Sequence, residues 1–295
     1  MPEIERLADE NALVGEGPVW NPHKQVLYWT DIHGGRMFRY DPARNLNEQV
    51  HRGHNVGGGM VNRQGGLLTF IWDGIVLWNS DDDWVKVRED YNGEILRFND
   101  VIAAPNGSAF GGSYFDDHPG KLYRFDPDGG VAVIAEGVRC SNGMGFSPDN
   151  RTFYHTDALI HTIYAYDHDP ATGHAENRRV FVKGSEDLGY PDGMTVDAEG
   201  FVWSAVWGGG CVVRFDPVGK EARRVHLPAR QTSSAMFGGP DLTDLYVTSA
   251  SFEAKPDELD PEKENYRGGS LYRVRGLGVK GREEYESNFA WPNKT

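Results

Sequence analysis

Cysteine is scarce: the chain has two in 295 residues, Cys140 and Cys211, far apart in sequence. That excludes a disulfide scaffold, and no Cys-x-x-Cys or His-x-x-x-His spacing suggests a zinc centre. The N-terminal stretch "MPEIERLADE" has no basic start and no apolar core. No signal peptide is therefore expected, and the two cysteines read as free thiols in a reducing, cytoplasmic setting. No stretch approaches 18 apolar residues, so no membrane-spanning helix is expected. Positive charge is outnumbered, with 30 Lys and Arg against 44 Asp and Glu and a net charge of -14. That balance argues against nucleic acid or an anionic membrane as a partner. Long windows of apolar residues at i, i+3 and i+4 are missing, so helices are not expected to build the fold. No G-x-S-x-G elbow exists, which leaves His155 and Asp157 without a serine to activate. The run Gly208-Gly209-Gly210 lacks a following Lys-Ser/Thr and is not a phosphate loop.

What remains is short aromatic and β-branched runs, punctuated by 37 Gly and 16 Pro spread along the whole length. That pattern suits an all-β fold with many tight turns. One strand motif recurs: "RMFRYDPARN" at 36–45, "KLYRFDPDGG" at 121–130, "TIYAYDHDPATG" at 162–173, "VVRFDPVG" at 212–219 and, degraded, "SLYRVRGLG" at 270–278. "GIVLWN" at 74–79 is a weaker copy. The Asp favours a turn and the Pro has no ladder donor, so each run ends a strand there. A second motif precedes it in each unit: "QVLYWTDI", "GGLLTFIWD", "GSAFGGSYF", "RTFYHTDA", "GFVWSAVW" and "TDLYVTSA". Units start near Glu16, Val56, Asn99, Asn142, Asp192 and Ser233, roughly 40 to 50 residues apart, the period of propeller blades. The expectation is a six-bladed β-propeller forming one domain over residues 1–295. "EIERLA" near the N-terminus and "REEYES" near the C-terminus both alternate like edge strands and are expected to complete the last blade. The charged stretch 252–269 is expected as a surface loop in that blade, either a solvated insertion or a lid over the site.

In a propeller the innermost strands run along the axis, so equivalent positions ring one mouth of the channel. Glu16, Asn99, Asn142 and Asp192 hold one position in the first, third, fourth and fifth units. Any one of them reads as an ordinary turn residue, because Asn-Gly and Asp-Gly are common turn dipeptides. In register, they offer only oxygen donors and two carboxylates, the set a hard divalent cation takes. Ca²⁺ comes first, then Mg²⁺ or Mn²⁺, with Zn²⁺ or Fe²⁺ able to enter where abundant. The flanking Gly15, Gly17, Gly143 and Gly193 read as residues that let the backbone turn tightly beside the ion. Trp72, Tyr114 and Trp207 end inner strands, where they either wall a pocket or pack in the core. His155 reads as a structural or lining residue.

Seven stretches, in order and over nearly the whole chain, carry a family resemblance: "GEGPVW", "RFND", "SNGMGFSPD", "YPDGMTVDAEGFVW", "GGGCVVRFDP", "MFGGPDLTDLYVTSA" and "GLGVKG". The sequence resembles the regucalcin/gluconolactonase family of sugar lactonases, also called the senescence marker protein family. "YHTDA" at 154–158 is closer to its bacterial sugar-acid lactonases. The resemblance implies a six-bladed propeller with one axial divalent metal held by Glu16, Asn142 and Asp192. It implies that Arg97 and Asn99 bind substrate, and that Asp192 is the catalytic base. Where animal members carry a Glu that meets sugar hydroxyls, this chain has Asp116-Asp117, and ungapped register from "RFND" points to Asp117.

The expected reaction is hydrolysis of a sugar lactone, with the metal polarising the carbonyl and Asp192 taking a proton from the attacking water. An aryl-ester or phosphotriester hydrolase on the same scaffold is the alternative if the mouth is apolar. A non-catalytic calcium-binding propeller is a third reading. Sequence leaves the sugar, the metal and the oligomeric state open.

Overall fold

A computed structural model describes residues 2–292; residue 1 and residues 293–295, the ends of the expected domain, lie outside the described residues. The chain is a six-bladed β-propeller. The blades are six four-stranded antiparallel sheets, supplemented by a two-stranded ribbon, Asp90–Tyr91 with Glu94–Ile95. The innermost strands, in chain order, are Gly15–Asn21, Val56–Val61, Phe98–Ala103, Ser141–Phe146, Tyr190–Val196 and Thr232–Gly238. They open blades 1 to 6.

The repeated motifs are the second and third strands of each blade. Arg36–Asp41, for example, ends where the Asp41 carboxylate accepts the N–H groups of Ala43 and Arg44. Asp216 does the same for Val218 and Lys220 after Cys211–Phe215. The turn chemistry of Asp therefore stops the strand, and the following Pro prevents its extension. Apolar side chains fill the wedges between neighbouring blades. Phe70 of blade 2 meets Phe98 and Phe125 of blade 3 with ring centroids 4.7 and 5.6 Å apart. Phe110 of blade 3 meets Phe146 of blade 4, and Trp203 of blade 5 meets Phe237 of blade 6.

Blade 6 is built from both ends of the chain. Glu3–Asp9 pairs antiparallel with Ser270–Arg275 and takes the outermost place. The "REEYES" segment differs from its expectation: residues 282–287 form no strand beyond an isolated bridge at Ser287, since the outer slot is already filled. The segment crosses the far mouth of the channel instead, bonding to the turns that join first and second strands. Lys280 O accepts from Ala198 N, Gly281 N donates to Leu242 O, and Arg282 donates to the carbonyls of Phe146 and Ser147. Ser287 N donates to Val61 O, Asn288 N to Gly107 O, and Glu286 contacts His23. All six blades are thus tied to one strap. Among the described residues no helix is long and apolar enough to cross a membrane.

Candidate functional site

Every inner strand carries an irregularity at the same height. Pairing with the second strand slips between Glu16 and Val19, Val56 and Gly58, Phe98 and Asp100, Asn142 and Met144, Pro191 and Met194, and Thr232 and Ser234. A bulge leaves residues out of the ladder and re-aims side chains. Beside these bulges Glu16, Asn99, Asn142 and Asp192 of blades 1, 3, 4 and 5 line one mouth, whereas blade 2 offers only Val56, Gly57 and Gly58 there. Among Gly15, Gly17, Gly143 and Gly193 only Gly17 has a positive φ, 50°. The others are required by space rather than by a turn. A methyl on Gly143 would press on the Asp192 carbonyl and the Met194 N–H, each 2.5 Å away. Gly17, Gly143 and Gly193 let neighbouring inner strands touch, and Gly15 makes room for the Ser249 carbonyl on the second strand of blade 6.

The mouth opens into a pocket of about 610 Å³ whose lining includes Glu16, Arg97, Asn99, Asn142 and Asp192. The structure thus brings five of the six expected site residues together. Asp117 is not among them: its side chain is 87% exposed and pairs with His118. Its neighbour Asp116 lines the pocket and meets the Arg97 guanidinium at 3.3 Å. Trp72, Tyr114 and Trp207 also line it, and Arg97 lies over the Trp72 ring at 4.2 Å. The 252–269 stretch is not wholly solvated, because Phe252, Glu253 and Arg267 form part of the wall. His155 stays out of the pocket, buried against Ser141 Oγ at 2.8 Å.

Charge is crowded at this mouth. Burial first, then the Asp100 carboxylate, push the Glu16 carboxyl up to about 8. Burial pushes Asp100 up to about 6. Burial, then Glu16 and Asp100, raise Asp192 well above the usual carboxylate range. Asn142 Oδ1 and Asp192 Oδ1 are buried and have no hydrogen-bond partner. Orphaned buried oxygens of this kind are rare and call for an explanation. Asn99 is fixed more firmly. Its Nδ2 donates to the Ser141 carbonyl at 2.8 Å, and since a carbonyl only accepts, the amide oxygen must be the atom left for the pocket. Among the described residues no three of His, Cys, Asp and Glu form a ready-made metal cluster. The donors that do fit a divalent cation are two carboxylates and an amide, with two oxygens unsatisfied and mutual repulsion to relieve.

Sequence reasoning placed Asp100 in a polar cluster with Arg97 and Asn99 but gave it no role; it sits where blades 1, 4 and 5 carry Gly17, Gly143 and Gly193. It missed His33 and Gln231, which line the pocket at the mouth, the latter with a buried unpartnered Oε1, whereas Asp100 lines a separate cavity with Met144, Met194 and Glu284. The "RFND" run was the available signal for Asp100. Gln231 had none, because "QTSS" lacks the Gly-bearing turn of the other blades.

The family described as SMP-30/Gluconolactonase/LRE-like region matches residues 14–251. A pentonolactonase, XacC of Haloferax volcanii, is 39% identical over 97% of this chain and 98% of its own. Regucalcin of Xenopus laevis is 35% identical over 95% and 96% respectively. The solved structure of the calcium-binding protein regucalcin from Agrobacterium tumefaciens superposes with a TM-score of 0.87, at 26% identity over 97% of both chains. The chain belongs to the SMP-30/gluconolactonase/LRE-like family.

Proposed function

We propose that this chain is a sugar lactonase that opens an aldonolactone to the aldonic acid at the mouth ringed by Glu16, Asn99, Asn142 and Asp192. The observation that carries the reading is the pair of buried, unpartnered oxygens, Asn142 Oδ1 and Asp192 Oδ1. They stand beside a Glu16 carboxylate that burial and like charge hold above its ordinary range. The pentonolactonase relative, similar from end to end, supports the same substrate class.

Glu16, Asn142 and Asp192 would hold one divalent cation, Ca²⁺ foremost. When bound, the ion supplies Lewis acidity toward the lactone carbonyl. Asp192 is the base. It takes a proton from the attacking water as the water oxygen bonds to the carbonyl carbon, and returns that proton to the ring oxygen as the ring C–O bond breaks. Asn99 presents its amide oxygen to a sugar hydroxyl or to the water. Arg97, held over the Trp72 ring and bonded to Asp116, donates its rigid fork to sugar oxygens. Asp116, rather than Asp117, is the acidic partner at that end.

A second reading has one observation in its favour: Trp72, Tyr114, Tyr190, Trp207 and Phe252 make the walls strongly aromatic, which suits an aryl ester. The test is hydrolysis of a panel of pentono- and hexonolactones and aryl esters by chelated protein, with single metals added back. Asp192→Ala should lower lactone turnover on the order of 10²–10⁴-fold while the protein stays folded. Full activity after metal removal, or near wild-type turnover in Asp192→Ala, would overturn the mechanism.

A further inference from the structure

Two second strands end in the same dipeptide, Thr30-Asp31 in "YWTD" and Thr156-Asp157 in "YHTD". Their partners are also equivalent. Thr30 is opposite Glu16 and Asp31 opposite Gly15; Thr156 is opposite Asn142 and Asp157 opposite Ser141. The corresponding positions in the other blades are Ile71, Ser113, Val206 and Ser249. Carboxylates thus occur in two of the three blades that carry proposed cation ligands, and in none of the remaining three.

Both carboxylates are buried, Asp31 at 0% and Asp157 at 3% exposure. Each accepts from backbone N–H just ahead of a ligand, and Asp31 accepts from Gly34 N as well. Asp31 Oδ1 accepts from Val14 N at 3.0 Å, two residues before Glu16. Asp157 Oδ1 accepts from Cys140 N at 3.0 Å, two residues before Asn142, and both its oxygens accept from Arg139 N. Bonds from N–H to a buried carboxylate are charge-assisted and short of alternatives, so they fix the backbone firmly. Asp31 has a further partner, the Arg36 guanidinium at 2.6 Å. Asp157 spends its hydrogen bonds on the entering segment.

Residues 139–142 are braced a second time by the Ser141 Oγ···His155 contact. The same segment offers the Ser141 carbonyl that orients Asn99. A shift of this segment would move Asn142 and Asn99 together.

We propose that Asp157, and its counterpart Asp31, are positioning residues that hold the ligand-bearing inner strands so that Asn142 and Glu16 aim at the axial cation. This rests on the reading of the mouth as a divalent-cation site. Groups that orient ligands from behind are typically worth about 10–100-fold in metal affinity.

The test is chelator-competition titration of the full chain with Ca²⁺ and Mn²⁺, alongside thermal unfolding without metal. Asp157→Ala should weaken cation affinity about 10-fold or more. Asp157→Asn, which keeps an acceptor oxygen, should recover most of it. In an Asn142→Ala background, Asp157→Ala should cause little further loss, because the ligand through which it acts is gone. A merely structural Asp157 would give the same loss in both backgrounds, or would lower metal-free stability while leaving affinity unchanged; either result overturns the proposal. If Asp157→Ala does not fold, Asp157→Ser, which cannot span both N–H groups, carries the same cycle. A wild-type chain that binds neither ion would sink the cation-site reading itself. Wild-type binding matched by Asp157→Ala sinks only the positioning role.

Discussion

Glu16→Gln is the sharpest probe of the crowded mouth. The substitution keeps size and an acceptor for the Gly17 N–H, which bonds Glu16 Oε2 at 2.8 Å, but removes the ionisable group. In the metal-free fold, burial and the Asp100 charge lift the Glu16 carboxyl from 4.5 to about 8. The sign follows from proton binding. Below about pH 4.5 the folded and unfolded chains both hold the proton, and nothing is lost. As the pH rises, the unfolded chain ionises first while the fold keeps its proton, so stability falls until the folded group ionises near pH 8. A rise of this size corresponds to roughly 5 kcal/mol at most, and water in the open mouth absorbs part of it. The stability gap between Glu16→Gln and wild type should therefore widen by roughly 2–4 kcal/mol between pH 5 and pH 8.5 in a chelator. Comparing the two proteins cancels His155, whose neutral buried ring, held down to about 3 by burial, pulls stability the other way at low pH.

The assay is urea unfolding at several pH values, with chelator and with saturating Ca²⁺. Adding the ion should reverse the order, because it stabilises the form with both carboxylates charged and gains less from the variant. Parallel pH slopes for the two proteins in chelator would refute the electrostatic account. Equal stabilisation of both by Ca²⁺ would refute Glu16 as a ligand.

Arg97→Lys keeps the charge but loses the planar face over Trp72 and the two-pronged donor; kcat/KM for lactones should fall on the order of 10-fold or more, mainly through KM, with little change in unfolding midpoint. An unchanged KM would remove Arg97 from substrate binding. Deleting the chain from Lys280 onward strips bonds to all six blades, at about 1 kcal/mol net for each hydrogen bond. The midpoint of thermal unfolding should drop sharply, and an unchanged midpoint would show that the Glu3–Asp9 strand alone closes the ring.

The blade count was legible because turn chemistry is local. Asp41 and Asp216 stop their strands with their own side chains, and such signals repeat in the sequence itself. The bulges were not legible, because they depend on how many residues face each other across two strands. Asn99 and Asn142 look alike as "FND" and "SNG", yet Asn142 is paired with Thr156 while Asn99 is the extra residue left out of its ladder. That difference accords with separate duties, one amide with a free oxygen at the axis and the other tied by its nitrogen to the next blade. The "REEYES" alternation misled for a related reason: period-2 patterning shows that one face is covered, not what covers it. Its Tyr285 reaches back to Asn150 Oδ1 at 2.7 Å, in a turn rather than in a neighbouring strand.

The choice between Asp116 and Asp117 shows the limit most sharply. Past the end of Ala109–Ser113 the chain leaves the ladder, so counting from "RFND" no longer determines which way a side chain points. A one-residue slip exchanges the faces, and here it sends Asp116 to Arg97 and Asp117 to His118 in solvent. The residues that would hold the cation, Glu16, Asn142 and Asp192, all lie on inner strands, the first two paired in the ladder and Asp192 at the bulge between paired Pro191 and Met194. The acidic contact that would meet sugar hydroxyls sits beyond that ladder, where a shift of one residue changes reach by a few ångströms. Selection among lactones that differ by one hydroxyl can therefore change by loop register alone, with the axial donors untouched.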